Sequence, residues 1–216
     1  MDRKFFKATA LTLGALVMVG SASAASVTLN TAGKKATATL VLSADAKTKA
    51  AAAGLSFGAA GNAYTGSTAG TFVLPITKSV VDVSLFKPTT PVSGEAIGSA
   101  LLASKGTKTL ALANFKIDYA KDEIAGDFIY NGQTQNMALF SFTESTPRTI
   151  KLSGLSLVMN QTLGDVRLTS DATSSLTSAL GSSGALSDFA GANMGTITID
   201  VSTLSRKAVS TKPYTA

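Results

Sequence analysis

Few residues in this chain could carry out chemistry. It has no His and no Cys, which excludes Ser-His-Asp and Cys-His catalysis and metal sites built on imidazole or thiolate. The remaining acidic cluster is Asp122, Glu123 and Asp127. Paired carboxylates can hydrolyse glycosides, and their oxygens can bind Ca²⁺. However, the cluster lacks the spacing of a calcium loop, and two of its members fall in a predicted turn, so we favour a solvated turn and predict no catalytic or metal residues.

Charge and glycine spacing point away from nucleic acids and nucleotides. The net charge is +6. Without residues 1–24, which carry three basic and one acidic side chain, 16 Lys and Arg oppose 12 Asp and Glu, a net charge of +4. The basic residues are scattered rather than interleaved with aromatic side chains, so nucleic-acid binding is not predicted. The glycines of residues 58–70 match no phosphate-binding loop.

Residues 1–24 are predicted to be a secretory signal peptide. They begin with basic side chains, continue with an apolar run at residues 8–19, and end in small residues that include Ala22 and Ala24. The run is short for a membrane span of about 20 residues, and no later run is longer. We therefore expect an exported protein without a membrane span after signal removal, located in the periplasm, at the cell surface or outside the cell. Without Cys, its apolar core must hold the fold alone.

The stretch at residues 107–142 organises the remaining chain. Three apolar runs are joined by a turn at residues 121–123 and by Asn131-Gly132, the dipeptide preferred in two-residue type I′ hairpins. The apolar residues Leu110 and Leu112 have even numbers, whereas the apolar residues Phe115, Ile117 and Tyr119 have odd numbers. Since strand side chains alternate between faces, we predict a β-meander with a β-bulge at residues 113–114.

The flanks of the meander share an order of elements. Residues 40–76 and 166–201 each read as a strand, a Ser/Asp-rich start, a short helix, glycine, a small-residue loop and a second strand. Residues 55–70 are predicted as a loop, and Pro75 should lie at a sheet edge or bulge. We predict an all-β, mainly antiparallel β-sandwich over residues 25–205 with two short helices and an internal duplication, followed by a C-terminal tail at residues 206–216.

Three motifs resemble exported bacterial β-rich proteins related to the HtaA-type domain. They are a Phe-x-Leu-Pro-Ile-Thr strand at residues 72–77, an Asn-Phe-x-Ile-Asp strand at 114–118 followed by Gly-Asp, and a Leu-Thr-Ser-Asp-Ala helix start at 168–172. Members of this group often sit at the cell surface, and HtaA domains proper bind haem through Tyr and His. The chain lacks His and any Pro-Glu-Pro sorting tail, so the resemblance leaves Tyr64 as the cofactor-binding candidate.

The function that these observations favour is not enzymatic. We expect an exported surface or extracellular-matrix protein that acts by adhesion or self-association through strand edges and faces, with no cofactor. Its partners would be other copies of itself or components of the cell surface or matrix. The alternatives are a module that binds a small hydrophobic ligand or haem, and a carboxylate-dependent glycan hydrolase.

Overall fold

The computed structural model describes residues 25–83, 88–146, 149–153 and 156–216. The predicted signal peptide therefore lies outside the described residues. In the described part, the chain is mostly antiparallel β-strand with three short helices, so the predicted all-β antiparallel class is confirmed. No helix in this part is both long and apolar enough to cross a bilayer.

Thirteen strands among the described residues form one sheet. The first six are β1 (Ala25–Asn30), β2 (Lys34–Leu42), β3 (Ser56–Gly61), β4 (Tyr64–Thr65), β5 (Thr71–Pro75) and β6 (Lys78–Val83). The others are β7 (Thr90–Lys105), β8 (Lys108–Asp118), β9 (Glu123–Tyr130), β10 (Gln133–Glu144), β11 (Thr149–Ser153), β12 (Ser156–Leu168) and β13 (Gly195–Ser205).

The sheet curls into a half-barrel. Its strand order is β1-β6-β7-β8-β9-β10-β12-β13-β2-β5-β4, with β3 paired to β7 and β11 paired to β12. The core lies inside this curl, and the predicted sandwich of two packed sheets is wrong, because the described strands form one sheet. The sheet is continuous between the two similar halves of the chain, because β13 is hydrogen-bonded to both β12 and β2.

The meander forms as predicted, with its bulge and its turn. Asn131 and Gly132 join β9 to β10 with φ of 50° and 72°, the positive values that a type I′ turn requires. The β8–β9 register shifts after Ala113, and Asn114 has φ 54°. The bulge keeps Leu110 and Phe115 on the same buried face, although one residue number is even and the other is odd.

Two predictions about the flanks need correction. Residues 56–61 and 64–65 are strands β3 and β4 rather than loop, because residues 56–61 pair along the second half of β7. The loop predicted after Leu180 contains a third helix, which Ser183 caps at its start by accepting a hydrogen bond from Leu186. The helices are α1 (Ala44–Ala52), α2 (Ser170–Leu180) and α3 (Gly184–Ala190).

The two similar units lie side by side instead of flanking the meander. Their paired strands, β12 with β13 and β2 with β5, are adjacent in the sheet. Both units start their helix alike, since Ser43 accepts from the Ala46 amide and Thr169 from the Ala172 amide. Because β2 and β12 run in the same direction, the helices that follow them cover one end of the half-barrel rather than both ends.

Aromatic side chains pack together at that end of the core. The ring of Phe57 on β3 lies 6.5 Å from that of Phe72 on β5 and 5.6 Å from that of Phe189 on α3. Phe189 is 1% exposed. The helices therefore cover this end, where a cavity of about 40 Å³ remains beside Phe57, Phe72 and Phe189.

Candidate functional site

An apolar cavity occupies the interior of the half-barrel. Its volume is about 70 Å³, and roughly 10–15 Å³ suffices for one water molecule. The lining side chains include Leu40, Leu74, Ile76, Phe115, Ile117, Ile124, Met159, Leu163, Val166, Ile197 and Ile199. The volume exceeds what a few waters need, and apolar walls hold water poorly, so the space suits an apolar group.

The interior positions of these strands follow directly from their alternating sequence. On β13, Ile197, Ile199 and Val201 point inward, and on β12 the inward positions opposite them are Leu163, Gln161 and Met159. Five of these six side chains are apolar and belong to the core. Gln161 is the exception, and it falls between two residues that line the cavity.

Gln161 is a fully buried polar residue beside the cavity. The residue is 0% exposed, and neither its side-chain oxygen nor its nitrogen has a hydrogen-bond partner among the described residues. An unsatisfied buried polar group costs about 1–3 kcal/mol. The amide can both donate and accept, so it can pair with a hydroxyl, a carbonyl or another amide that reaches it.

Several half-buried residues line the cavity on β6 and β7. The half-buried lining residues there are Val80, Ser93, Gly94 and Glu95. The carboxylate of Glu95 accepts a hydrogen bond from the ammonium of Lys78 at 2.9 Å, and the Glu95 side chain is 18% exposed. This ion pair places balanced charge on this side of a mostly apolar cavity.

Tyr64, the candidate haem ligand, lies away from this cavity. It is 52% exposed on the short strand β4 and is not among the residues that line the cavity. Partial burial lowers the pKa of the guanidinium of Arg206, and Tyr64 partly offsets that effect. Tyr119 lines the cavity, but its ring packs edge-on against Phe142.

The carboxylates of the meander are not brought together. Asp122 has φ 53° in the turn, whereas Glu123 and Asp127 lie four residues apart on β9. That separation corresponds to about 13 Å along a strand, beyond the spacing of roughly 5–9.5 Å that glycosidases use. Asp127 instead accepts hydrogen bonds from Asn114 and Asn136. No group of three or more metal-ligating side chains occurs among the described residues.

Sequence reasoning missed Gln161. Its signal was present, because a glutamine between Met159 and Leu163 interrupts an otherwise apolar inward-facing series. The cavity itself left no such signal, because its lining residues come from nine strands of the sheet. Comparison with protein-family models, with curated proteins and with solved structures finds no match for this chain.

Proposed function

We propose that this protein is a non-enzymatic binding module for a small, predominantly apolar molecule that carries one neutral hydrogen-bonding group. One observation carries the proposal: beside an apolar cavity of about 70 Å³, the fully buried amide of Gln161 lies between two lining residues of β12 and has no hydrogen-bond partner among the described residues. The apolar part of the ligand would occupy the cavity. Its hydroxyl or carbonyl would bind Gln161 and remove the cost of the unpaired amide.

The shape and charge of the site narrow the ligand class. Haem is much larger than this volume, and Tyr64 is exposed elsewhere, so a small ligand is favoured over haem. The carboxylate of Glu95 is paired with the ammonium of Lys78, so this side of the cavity offers no net charge to a charged ligand. We infer a neutral ligand such as a small alcohol, phenol or ketone, or the end of a larger molecule with that chemistry.

Export is part of the same proposal. The basic start, the apolar run and the small residues of residues 1–24 support a signal peptide, and the resemblance to HtaA-type proteins supports a location outside the cytoplasm. The test is N-terminal sequencing of the protein recovered from the medium and from cell fractions. A cytoplasmic protein that retains residue 1 would refute export.

Ligand binding is tested with phenol and toluene, which have similar shapes but differ in the hydroxyl group. Both should shift the methyl NMR signals of Leu163 and Val166, and phenol should bind about tenfold more tightly because the hydroxyl can pair with Gln161. In Gln161→Leu, that preference should disappear while toluene still binds. If millimolar phenol and toluene leave these signals unmoved, the proposal is wrong.

Filling the cavity provides a second test with a matched control. Ala96→Leu places three extra carbons at a lining position of β7 and should abolish toluene binding. Ala125→Leu makes the same change at a half-buried position of β9 that does not line the cavity, so binding should persist. Equal binding by the two variants would exclude this cavity as the site.

The second candidate is self-association through a strand edge. Strand β1 lies at one end of the sheet and pairs only with β6 in the described chain, so its outer backbone groups are available for another strand. Val27 on this strand is 40% exposed. Light scattering should show multimers that Val27→Lys reduces, whereas Val158→Lys, at a 37% exposed position inside the sheet, should not. A monomer at high concentration would exclude this mode of assembly.

A further inference from the structure

The later part of residues 206–216 lies in a groove on the outer face of the sheet, and the backbone amides of Arg206 and Val209 donate to the carbonyls of Gly33 and Ala32. The segment contains no helix or strand. We call its binding surface the segment groove: its floor is Ala100, Ala111, Ala113 and Ile129, and its two polar sides are Asn62 and Asn114. The floor faces outward because Ala111 and Ala113 alternate with the inward leucines of β8.

Two asparagine side chains hold the segment by its backbone. The Asn114 oxygen accepts from the Tyr214 amide at 2.8 Å, and the Asn114 nitrogen donates to the Tyr214 carbonyl at 3.1 Å. Asn62 makes the same pair of bonds with Ser210, at 3.2 and 2.7 Å. Each side-chain amide thus pairs with both backbone groups of one residue, as a neighbouring strand would.

The two asparagines are held in place by the bulges of the sheet. Asn114 also accepts from the Gly98 amide at 3.0 Å and donates to the Asp127 carboxylate at 2.8 Å. Asn62 donates its backbone amide to the Gly98 carbonyl at 2.7 Å and its side-chain nitrogen to the Ile97 carbonyl at 2.9 Å. Because the rest of the protein already holds the side chains of Asn62 and Asn114 in place, these side chains lose little conformational entropy when a segment binds.

Small residues make room for the bound segment. A Cβ at Gly98 would lie 2.9 Å from the Lys212 carbonyl oxygen, and one at Gly61 would lie 3.0 Å from the Tyr214 ring. The Tyr214 ring packs against the apolar floor of the groove. The groove is therefore shaped for an extended backbone that carries an aromatic anchor.

We propose that the segment groove is a peptide-binding site whose partner is residues 206–216 of a second copy of this chain. Asn62 and Asn114 bind backbone groups, and the apolar floor packs against an aromatic ring. The same segment of a second copy can therefore supply the same contacts. A chain's own segment has an effective concentration on the order of millimolar. Exchange between copies therefore becomes important where copies are crowded together, and it does not depend on the apolar cavity.

The test uses the full chain and a labelled synthetic peptide of residues 206–216. In Tyr214→Ala, the chain's own segment loses its anchor while the groove stays intact. Fluorescence anisotropy should show that this variant binds the peptide at least tenfold more tightly than the unaltered chain does. Adding Asn114→Gly or, separately, Asn62→Gly should weaken that binding at least tenfold, whereas Asn160→Ala on β12 should leave it unchanged.

Two outcomes would overturn the proposal. One is failure of Tyr214→Ala to bind the peptide at millimolar concentration while its circular dichroism matches that of the unaltered chain. The other is equal binding of a peptide in which the tyrosine is replaced by alanine. At millimolar protein, dimers that Asn62→Gly reduces and Val27→Lys leaves unchanged would support exchange through the groove and not through the β1 edge.

Discussion

Replacing Asn114 by Gly and by Ala tests how the β8 bulge is stabilised. The residue is 8% exposed, has φ 54°, and makes four hydrogen bonds: one with Gly98, two with Tyr214 and one with Asp127. Glycine removes the side chain but accepts the positive φ. Alanine removes the side chain and also resists the backbone conformation, so the pair separates the two contributions.

The expected magnitudes follow from the contacts that are lost. The buried Gly98 amide would be left without its partner, which costs about 1–3 kcal/mol. The backbone groups of Tyr214 can turn to water if the segment detaches, so each lost bond there costs about 0.5–1 kcal/mol. We expect Asn114→Gly to destabilise the protein by roughly 3 kcal/mol, and Asn114→Ala by about 1 kcal/mol more because of the left-handed φ.

Urea unfolding followed by circular dichroism measures both values, with Asn160→Ala as a control that should change stability by less than about 0.5 kcal/mol. The decisive result is which of the two Asn114 variants has the higher free energy of unfolding. In an ordinary strand, Gly is less stable than Ala. If Asn114→Ala proves more stable than Asn114→Gly, the bulge conformation assigned to this residue is wrong.

Three further changes probe other parts of the fold. Gln161→Leu should raise the free energy of unfolding by roughly 2 kcal/mol and the melting temperature by about 5 °C, since it removes an unpaired buried amide; a lower melting temperature would show that the amide has a partner. Gly195→Ala should lower the melting temperature by about 10 °C, because its Cβ would lie 2.0 Å from the Val41 carbonyl oxygen at φ 129°. Ser43→Ala should cost about 1–2 kcal/mol by removing the cap of α1 and the bond to the Asn193 carbonyl, as measured by urea unfolding; an unchanged midpoint would contradict it.

Local patterns were enough to predict the meander and the ends of several elements. The Asn131-Gly132 turn depends on two neighbouring residues that tolerate positive φ, and the bulge at Asn114 follows from a change of parity within one strand. The start of α1 depends on Ser43 and the residues just after it. These features are determined by interactions over a few residues, so the sequence expresses them directly.

Strands β3 and β4 and helix α3 were missed because their residues are small and weakly patterned. Residues 56–61 form a strand only because the second half of β7 lies beside them. Helix α3 depends on the burial of Leu186 and Phe189 at the end of the half-barrel that the helices cover. Likewise, residues 206–216 read as a tail, because Asn62 and Asn114 lie about 100 or more residues away in the chain.

By itself, the sequence determined the strand-rich class, the meander, its bulge and its tight turn, and the absence of His and Cys chemistry. Only the tertiary structure decided that the two similar units lie side by side, that one continuous sheet curls around an apolar cavity, and that Gln161 beside this cavity has no partner among the described residues. The physical reason is the distance along the chain over which the interactions act. Turn and strand preferences arise between neighbouring residues, whereas the cavity and the segment groove arise from contacts between residues far apart in the chain.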